Sequence, residues 1–228
     1  HLRRVLKSGK HRSFPALVDI AAKRMSEVRR YRNDLKEYGQ LRNAIVHDDS
    51  DDEHPIAEPH DDVTAQIERL AELILRPPRV YPTFKKDVQR LTPEQPIGRA
   101  VTHMYRNDFS QIPIYKDDSF QGLLSAVTVA RWLGSEESGQ RPDLDNTPIH
   151  RVLAFAEDKE THAFLSREAT IAEAVFLFEE SARNNRRLVA ILITEHGKEH
   201  QAALGIITSG DLPHAHHLIS LHRAQNHG

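Results

Sequence analysis

Cysteine is absent from the 228 residues, which excludes disulfides, thiolate zinc sites and thiol nucleophiles. The absence fits a cytoplasmic protein, and that location is the expectation. Long apolar runs are missing too. None approaches the roughly 18 residues of a membrane span, so no membrane partner is expected. No secretory signal is read, and with His1 rather than Met at the start the true N-terminus is expected to lie upstream. A strong net charge is also lacking, but the formal value of −2 hides an asymmetry. Residues 1–47 carry twelve Lys and Arg against four acids, a balance of +8, whereas residues 48–62 carry eight acids and no Lys or Arg. The basic block suits phosphate or nucleic-acid contact; it equally suits a solvated helical surface facing its own acidic loop.

The hydrophobic fraction of 39% and charged fraction of 28% are ordinary for a globular chain long enough for one large domain or two smaller ones. The first third reads as helices. Residues 17–31 place Leu17, Ile20, Ala21, Met25 and Val28 at three- and four-residue spacing. Asn33 is positioned to cap a second helix carrying Leu35, Tyr38, Leu41 and Ile45 on one side. A third, over 61–75, opens with Asp61 and Asp62 where the helix dipole favours acids, and Pro77-Pro78 stops it.

After the double proline, helix and strand alternate. A helix with Ile97, Ala100, Val101 and Met104 precedes two strands, QIPIYK and FQGLLSAV, split by Asp117, Asp118 and Ser119. VARWLG closes the unit as a helix, with Gly134 as a C-cap and Trp132 as a core candidate. Residues 137–148 have linker composition. The second half repeats the order: a helix in SREATIAEAVFLFEESARNN, with Phe176 and Phe178 as core candidates, then the strands RLVAILIT and AALGIIT. Ile97 aligns with Ile171, Ala100 with Ala174, Pro113 with Ala190 and Gly122 with Gly205, the offset growing from 74 to 77 to 83. The extra residues fall in connections, as in an internal repeat.

The stretch GIITSGDL, from Gly205, is the sharpest signal. Gly205 lets a ligand or a neighbouring backbone come close. Thr208 and Asp211 emerge where strand becomes helix, and helix N-termini present unpaired N–H groups to anions. A carboxylate accepts hydrogen bonds from two ribose hydroxyls, and a threonine hydroxyl donates to phosphate. The competing reading is that Asp211 only caps the helix beginning at Leu212-Pro213. The first half ends in GLLSAVTV, from Gly122, with Ser125 at the hydroxyl position and Thr128 in place of the carboxylate.

The element order, the polar-Pro strand SQIPIY and the closing Gly-x-x-Thr-x-x-Asp resemble a CBS domain, and two in tandem resemble a Bateman module over about residues 80–220. The resemblance implies two βαββα repeats packed as a pair. It implies regulatory binding of an adenosine-type ligand (AMP, ADP, ATP or S-adenosylmethionine) in clefts between them, with no cofactor required. Adenine is then clamped by Gln111, Ile112 and Pro113 in one half and by Leu188, Val189 and Ala190 in the other, while Thr208 and Asp211 hold phosphate and ribose. Arg187, at a strand start, either reaches phosphate or is solvated; His214, one helical turn past Asp211, faces a phosphate. The Ser125/Thr128 site departs from the pattern. It is expected to be weak, empty or selective for another ligand, since a lone hydroxyl lacks the charge that strengthens such bonds. A homodimer through the CBS pairs or the helical domain is expected.

LRNAIVHD holds Arg-x4-His, from Arg42 to His47, with Asn43 directly after the Arg. This resembles the HEPN families and implies metal-independent RNA cleavage, with Arg42 steadying the phosphate and His47 moving the proton, in a site shared by two helical domains. At about 100° per residue Asn43 and His47 share a face and Arg42 points elsewhere. The alternative is that Arg42 and Asn43 bond the acidic loop while His47 caps the helix end. His214, His216, His217 and His222 read as an incidental His-rich terminus, and no metal site is expected.

The reading is an α+β chain: a HEPN-like helical domain over 1–78, a first CBS repeat over 79–135, a linker over 136–150, and a second repeat with a C-terminal helix over 151–228. A ligand-sensing regulator is favoured over an enzyme. A nucleotide-regulated ribonuclease, with RNA as its partner, is the competing class.

Overall fold

The structure, a computed structural model, describes residues 13–46, 57–135 and 142–221. His47 and His222 lie outside the described residues, as does most of the acidic run. The chain separates into two compact units, residues 1–78 with 170–176 and 213–228, and residues 79–169 with 177–212.

In the first unit the described N-terminal helices are α1 (Phe14–Ala22), α2 (Ser26–Arg30), α3 (Arg32–Val46) and α4 (Asp61–Leu75). The single helix expected over 17–31 is two. Met25 is extended at φ −124°, ψ 118°, and the carbonyls at the end of α1 find other donors: Met25 N–H reaches Ala21 O at 2.8 Å and Arg29 Nε–H reaches Ala22 O at 2.9 Å. Asn33 lies inside α3 rather than at its cap. The α4 bounds agree with the expectation. The apolar stripes of these helices meet in a core containing Val18, Ala21, Val28, Leu70, Leu73 and Ile74.

Farther along the chain come α5 (Val80–Thr83), α6 (Ile97–Asn107), β1 (Gln111–Lys116), β2 (Ser119–Ser125), α7 (Ala126–Ser135), α8 (Ile149–Leu153), β3 (Glu160–Ser166), α9 (Ile171–Arg183), β4 (Arg187–Thr194), β5 (Gly205–Thr208) and α10 (Leu212–Leu218). β1 and β2 form an antiparallel hairpin, its turn made by Asp117 at φ 54°, a left-handed conformation that Asp tolerates. The second sheet runs β3-β4-β5, with β3 parallel and β5 antiparallel to the central β4. β4 is buried over most of its length, which its near-continuous apolar run anticipates.

Two differences from the sequence reading matter for the site. β3 is a full strand that periodicity did not reveal, because THAFLS mixes polar and apolar residues on both faces. In the first repeat the corresponding strand shrinks to a single parallel bridge, Leu91 to Ile114, held by Tyr115 N–H on Leu91 O at 2.9 Å. The two repeats therefore do not share one complete βαββα order among the described residues. The second difference is the linker. Ile97 N–H donates to Thr147 O and Gly98 N–H to Leu144 O, each at 2.8 Å, so residues 142–148 satisfy the first amides of α6, where Pro96 provides no side-chain cap. Gly134 falls inside α7 and caps nothing. Ile97, Met104, Ile112, Ile114, Leu124, Trp132 and Ile149 close the core around the first hairpin. Among the described residues no helix is long and apolar enough to cross a membrane.

Candidate functional site

β5 is short because the chain must turn at Thr208. Ser209–Asp211 form a tight 3-10 turn closed by a reciprocal cap. The Thr208 N–H donates to Asp211 Oδ2 at 2.8 Å, and the Thr208 hydroxyl donates to the same oxygen at 3.0 Å. The capping role anticipated as an alternative is thus real, but it occupies one carboxylate oxygen. The other, Oδ1, is 2.8 Å from Lys86 Nζ. Burial raises the Asp211 pKa, and the bonds from Lys86 and Thr208 outweigh it, so the group lies below the ordinary carboxylate range. The side chain keeps 20% of its surface exposed.

That surface opens on a cleft of about 570 Å³, within the size range of small-molecule sites. Three segments wall it: residues 86–89, residues 107–111 with Pro113 around the start of β1, and Ile206, Thr208, Gly210 and Asp211. The pairing is crosswise. Thr208 and Asp211 of the second repeat meet Gln111 and Pro113 of the first. Ile112 does not take part: strand alternation sends its side chain into the core, fully buried. Gly205 does not line the cleft either. A methyl group there would overlap the Phe84 carbonyl oxygen, and Lys85 bridges to Gly205, so the glycine admits a neighbouring backbone rather than a ligand. His214 is exposed on α10 and is not part of the cleft wall. Lys86, across 125 residues from Asp211, was missed in the sequence.

The first repeat's closing turn is built differently. Ser125 and Thr128 are buried. Ser125 Oγ accepts the Thr128 N–H at 3.0 Å and donates to Glu160 Oε2 at 3.0 Å, and the Thr128 hydroxyl lies 2.9 Å from Ser125 Oγ and 3.4 Å from Oε2. Glu160, whose side chain is 7% exposed, is ion-paired to Arg187. Arg187, read as reaching phosphate or solvated, directs its guanidinium in this structure to Glu160 and, at 3.6 Å, to Glu157. Beyond it on β4, Leu188 and Ala190 are buried and Val189 is half-buried.

In the helical unit, Arg42 Nη1–H reaches Asn43 Oδ1 at 3.4 Å, so the Arg does not point away from the Asn. Both line a groove of about 460 Å³ with Phe14, Leu35, Ile67 and Leu70.

The family model described as CBS domain matches residues 84–135. Over that stretch the chain is similar to a CBS domain. Its matched stretch spans Lys86, the α6 helix, the hairpin and α7. No curated protein matches the chain. Among solved structures, a candidate acetoin utilization protein (AcuB) from Vibrio cholerae shares 17% identity at a TM-score of 0.44, covering 60% of this chain and 87% of that one. A CBS-domain containing protein from Agrobacterium tumefaciens shares 13% at 0.42, covering 57% and 84%. A Methanocaldococcus jannaschii protein, described as a candidate archaeal homologue of g-AMPK, shares 17% at 0.47, covering 71% and 55%.

Proposed function

We propose that the Asp211 cleft binds an adenosine-type ligand and that the chain is a ligand-sensing regulatory protein. The observation that carries this reading is the placement of a partly exposed, ionised carboxylate and a lysine ammonium on one wall of a 570 Å³ cleft, with Gln111 and Pro113 opposite. Ribose hydroxyls donate to Asp211, displacing Lys86 from Oδ1; the ammonium is then free to meet a phosphate, a charge-assisted contact. Pro113, Ile206 and Phe109 offer apolar surface for a purine. Residues 79–135 and 151–228 act as the two repeats, joined by 136–150, with the helical region over 1–78 as the responding element. Occupancy alters that element only if the ligand binds two arrangements of the module unequally.

Thermal unfolding with AMP, ADP, ATP and S-adenosylmethionine tests the proposal. A ligand at 100 times its dissociation constant adds roughly 2.7 kcal/mol of stability, and no response to any of the four contradicts the reading. The ribonuclease alternative is not carried further, because the groove beside Arg42 and Asn43 is walled mainly by apolar side chains, a poor match to a phosphodiester backbone.

A further inference from the structure

We propose that the second cleft, the one built on Ser125 and Thr128, is closed by the chain's own Glu160, which therefore determines that each chain accepts a single ligand. This deepens the proposed function, and rests on it only for the ligand's identity.

Glu160 follows Lys86 by 74 residues, the offset that separates Ile97 from Ile171 and Ala100 from Ala174. The two residues are thus repeat equivalents, and both reach the closing turn of the opposite repeat: Lys86 reaches Asp211 at 2.8 Å, and Glu160 reaches Ser125 at 3.0 Å. The acid has changed ends. In the open cleft it sits on the turn after the closing strand and is met by an ammonium. In the other it arrives on β3 and is met by two hydroxyls, with Arg187 as its cation.

The exchange removes the capacity to bind. Both Glu160 oxygens already accept hydrogen bonds, from Ser125, Thr128 and Arg187, and Ser125 Oγ itself accepts the Thr128 amide. What separates this carboxylate from Asp211 is its access to solvent, not the number of bonds it accepts. The side chain is 7% exposed, against 20% for Asp211. Arg187 is braced in turn by Glu157, which Arg131 holds at 3.2 Å, so the seal ties α7 to the strands of the second sheet. Displacing it requires a ligand to break an ion pair whose carboxylate is almost out of water.

The lack of cysteine makes the test direct, because any introduced thiol is the sole reactive one. Ser125→Cys and Thr208→Cys chains are treated with iodoacetamide and the labelling rates read by mass spectrometry, with circular dichroism confirming the fold. Thr208→Cys is expected to react quickly, and Ser125→Cys about tenfold or more slowly, as a group exposed only by local opening. Adding Glu160→Ala to Ser125→Cys is expected to bring its rate up to that of Thr208→Cys; if the alanine chain does not fold, Glu160→Gln, which keeps the volume but not the charge, is expected to give an intermediate rate. Equal rates in the two single variants overturn the inference, as does a Ser125→Cys rate indifferent to the Glu160 substitution that folds. With AMP, ADP or ATP added, protection of Thr208→Cys alone supports it, and protection of both positions overturns it. If no nucleotide protects either position, the labelling rates still decide whether Glu160 closes the cleft, and the thermal response of the unmodified chain decides the proposed function.

Discussion

After β5, Asp211 faces Lys86 at 2.8 Å across an open cleft; after β2, Ser125 and Thr128 face Glu160 at 3.0 and 3.4 Å in a buried cluster. Each turn caps its own chain with a Ser or Thr hydroxyl, and each receives a charged side chain from the leading segment of the other repeat. The difference lies in which partner carries the negative charge and how much water reaches it. Two turns of similar sequence thus place their polar groups differently, and the placement separates a carboxylate 20% exposed from one 7% exposed. The paired glycines diverge in the same way. Gly205 is required by the Phe84 carbonyl pressed against it, whereas Gly122 has φ 152° and only the Leu153 side chain nearby.

The sharpest way to break the comparison is at Asp211. Asp211→Ala is expected to weaken nucleotide binding roughly a hundredfold, because each hydrogen bond to a charged group is worth about 1.5–3 kcal/mol; titration calorimetry reads the change, and an unaltered affinity would mean the two turns are equivalent after all. Next in size is Gly205→Ala, expected to cost about 1–3 kcal/mol of stability in urea unfolding, since the backbone it meets cannot step aside. A smaller effect belongs to the sealed turn. Thr128→Val is expected to cost about 1 kcal/mol of stability and to leave nucleotide affinity unchanged; a loss of affinity would place ligand at that turn.

The smallest effect concerns pH. His162 packs against Phe120 and Phe164, with ring centroids 4.7 and 5.8 Å away, and burial pushes its pKa below the ordinary histidine value, only partly opposed by Glu199. A histidine depressed in the folded state binds more protons when unfolded, so its contribution is intact above the unfolded pKa of about 6.5 and is lost as pH falls below it. His162→Phe is expected to flatten stability across that window, as read by melting temperature between pH 7 and 5 (about the range in which histidine titrates). An unchanged slope would show that the ring is solvated.

Much of this organisation was legible along the chain. The residues that the offsets align, Ile97 with Ile171 and Ala100 with Ala174, are all buried, and the bounds of β1, β4 and α4 followed from apolar runs and from Pro77-Pro78. The turn from Thr208 to Asp211 was readable because a cap is local. What escaped was of two kinds. Periodicity did not see β3, or the break between α1 and α2, where the extended Met25 and local hydrogen bonds from Met25 and Arg29 to the end of α1 close the helix. The partners of the two turns escaped because each acts across sequence: Lys86 lies 125 residues from Asp211, and Glu160 lies 35 from Ser125. A signal for them was nonetheless present. Extending the 74-residue alignment back one segment sets Lys86 against Glu160, an inversion of charge at equivalent positions.

The most direct trial of the central claim is a calorimetric count of nucleotide bound per unmodified chain, repeated with Asp211→Ala. One equivalent in the first and none in the second is the expected result. Two equivalents, none, or one that survives the substitution would contradict the account.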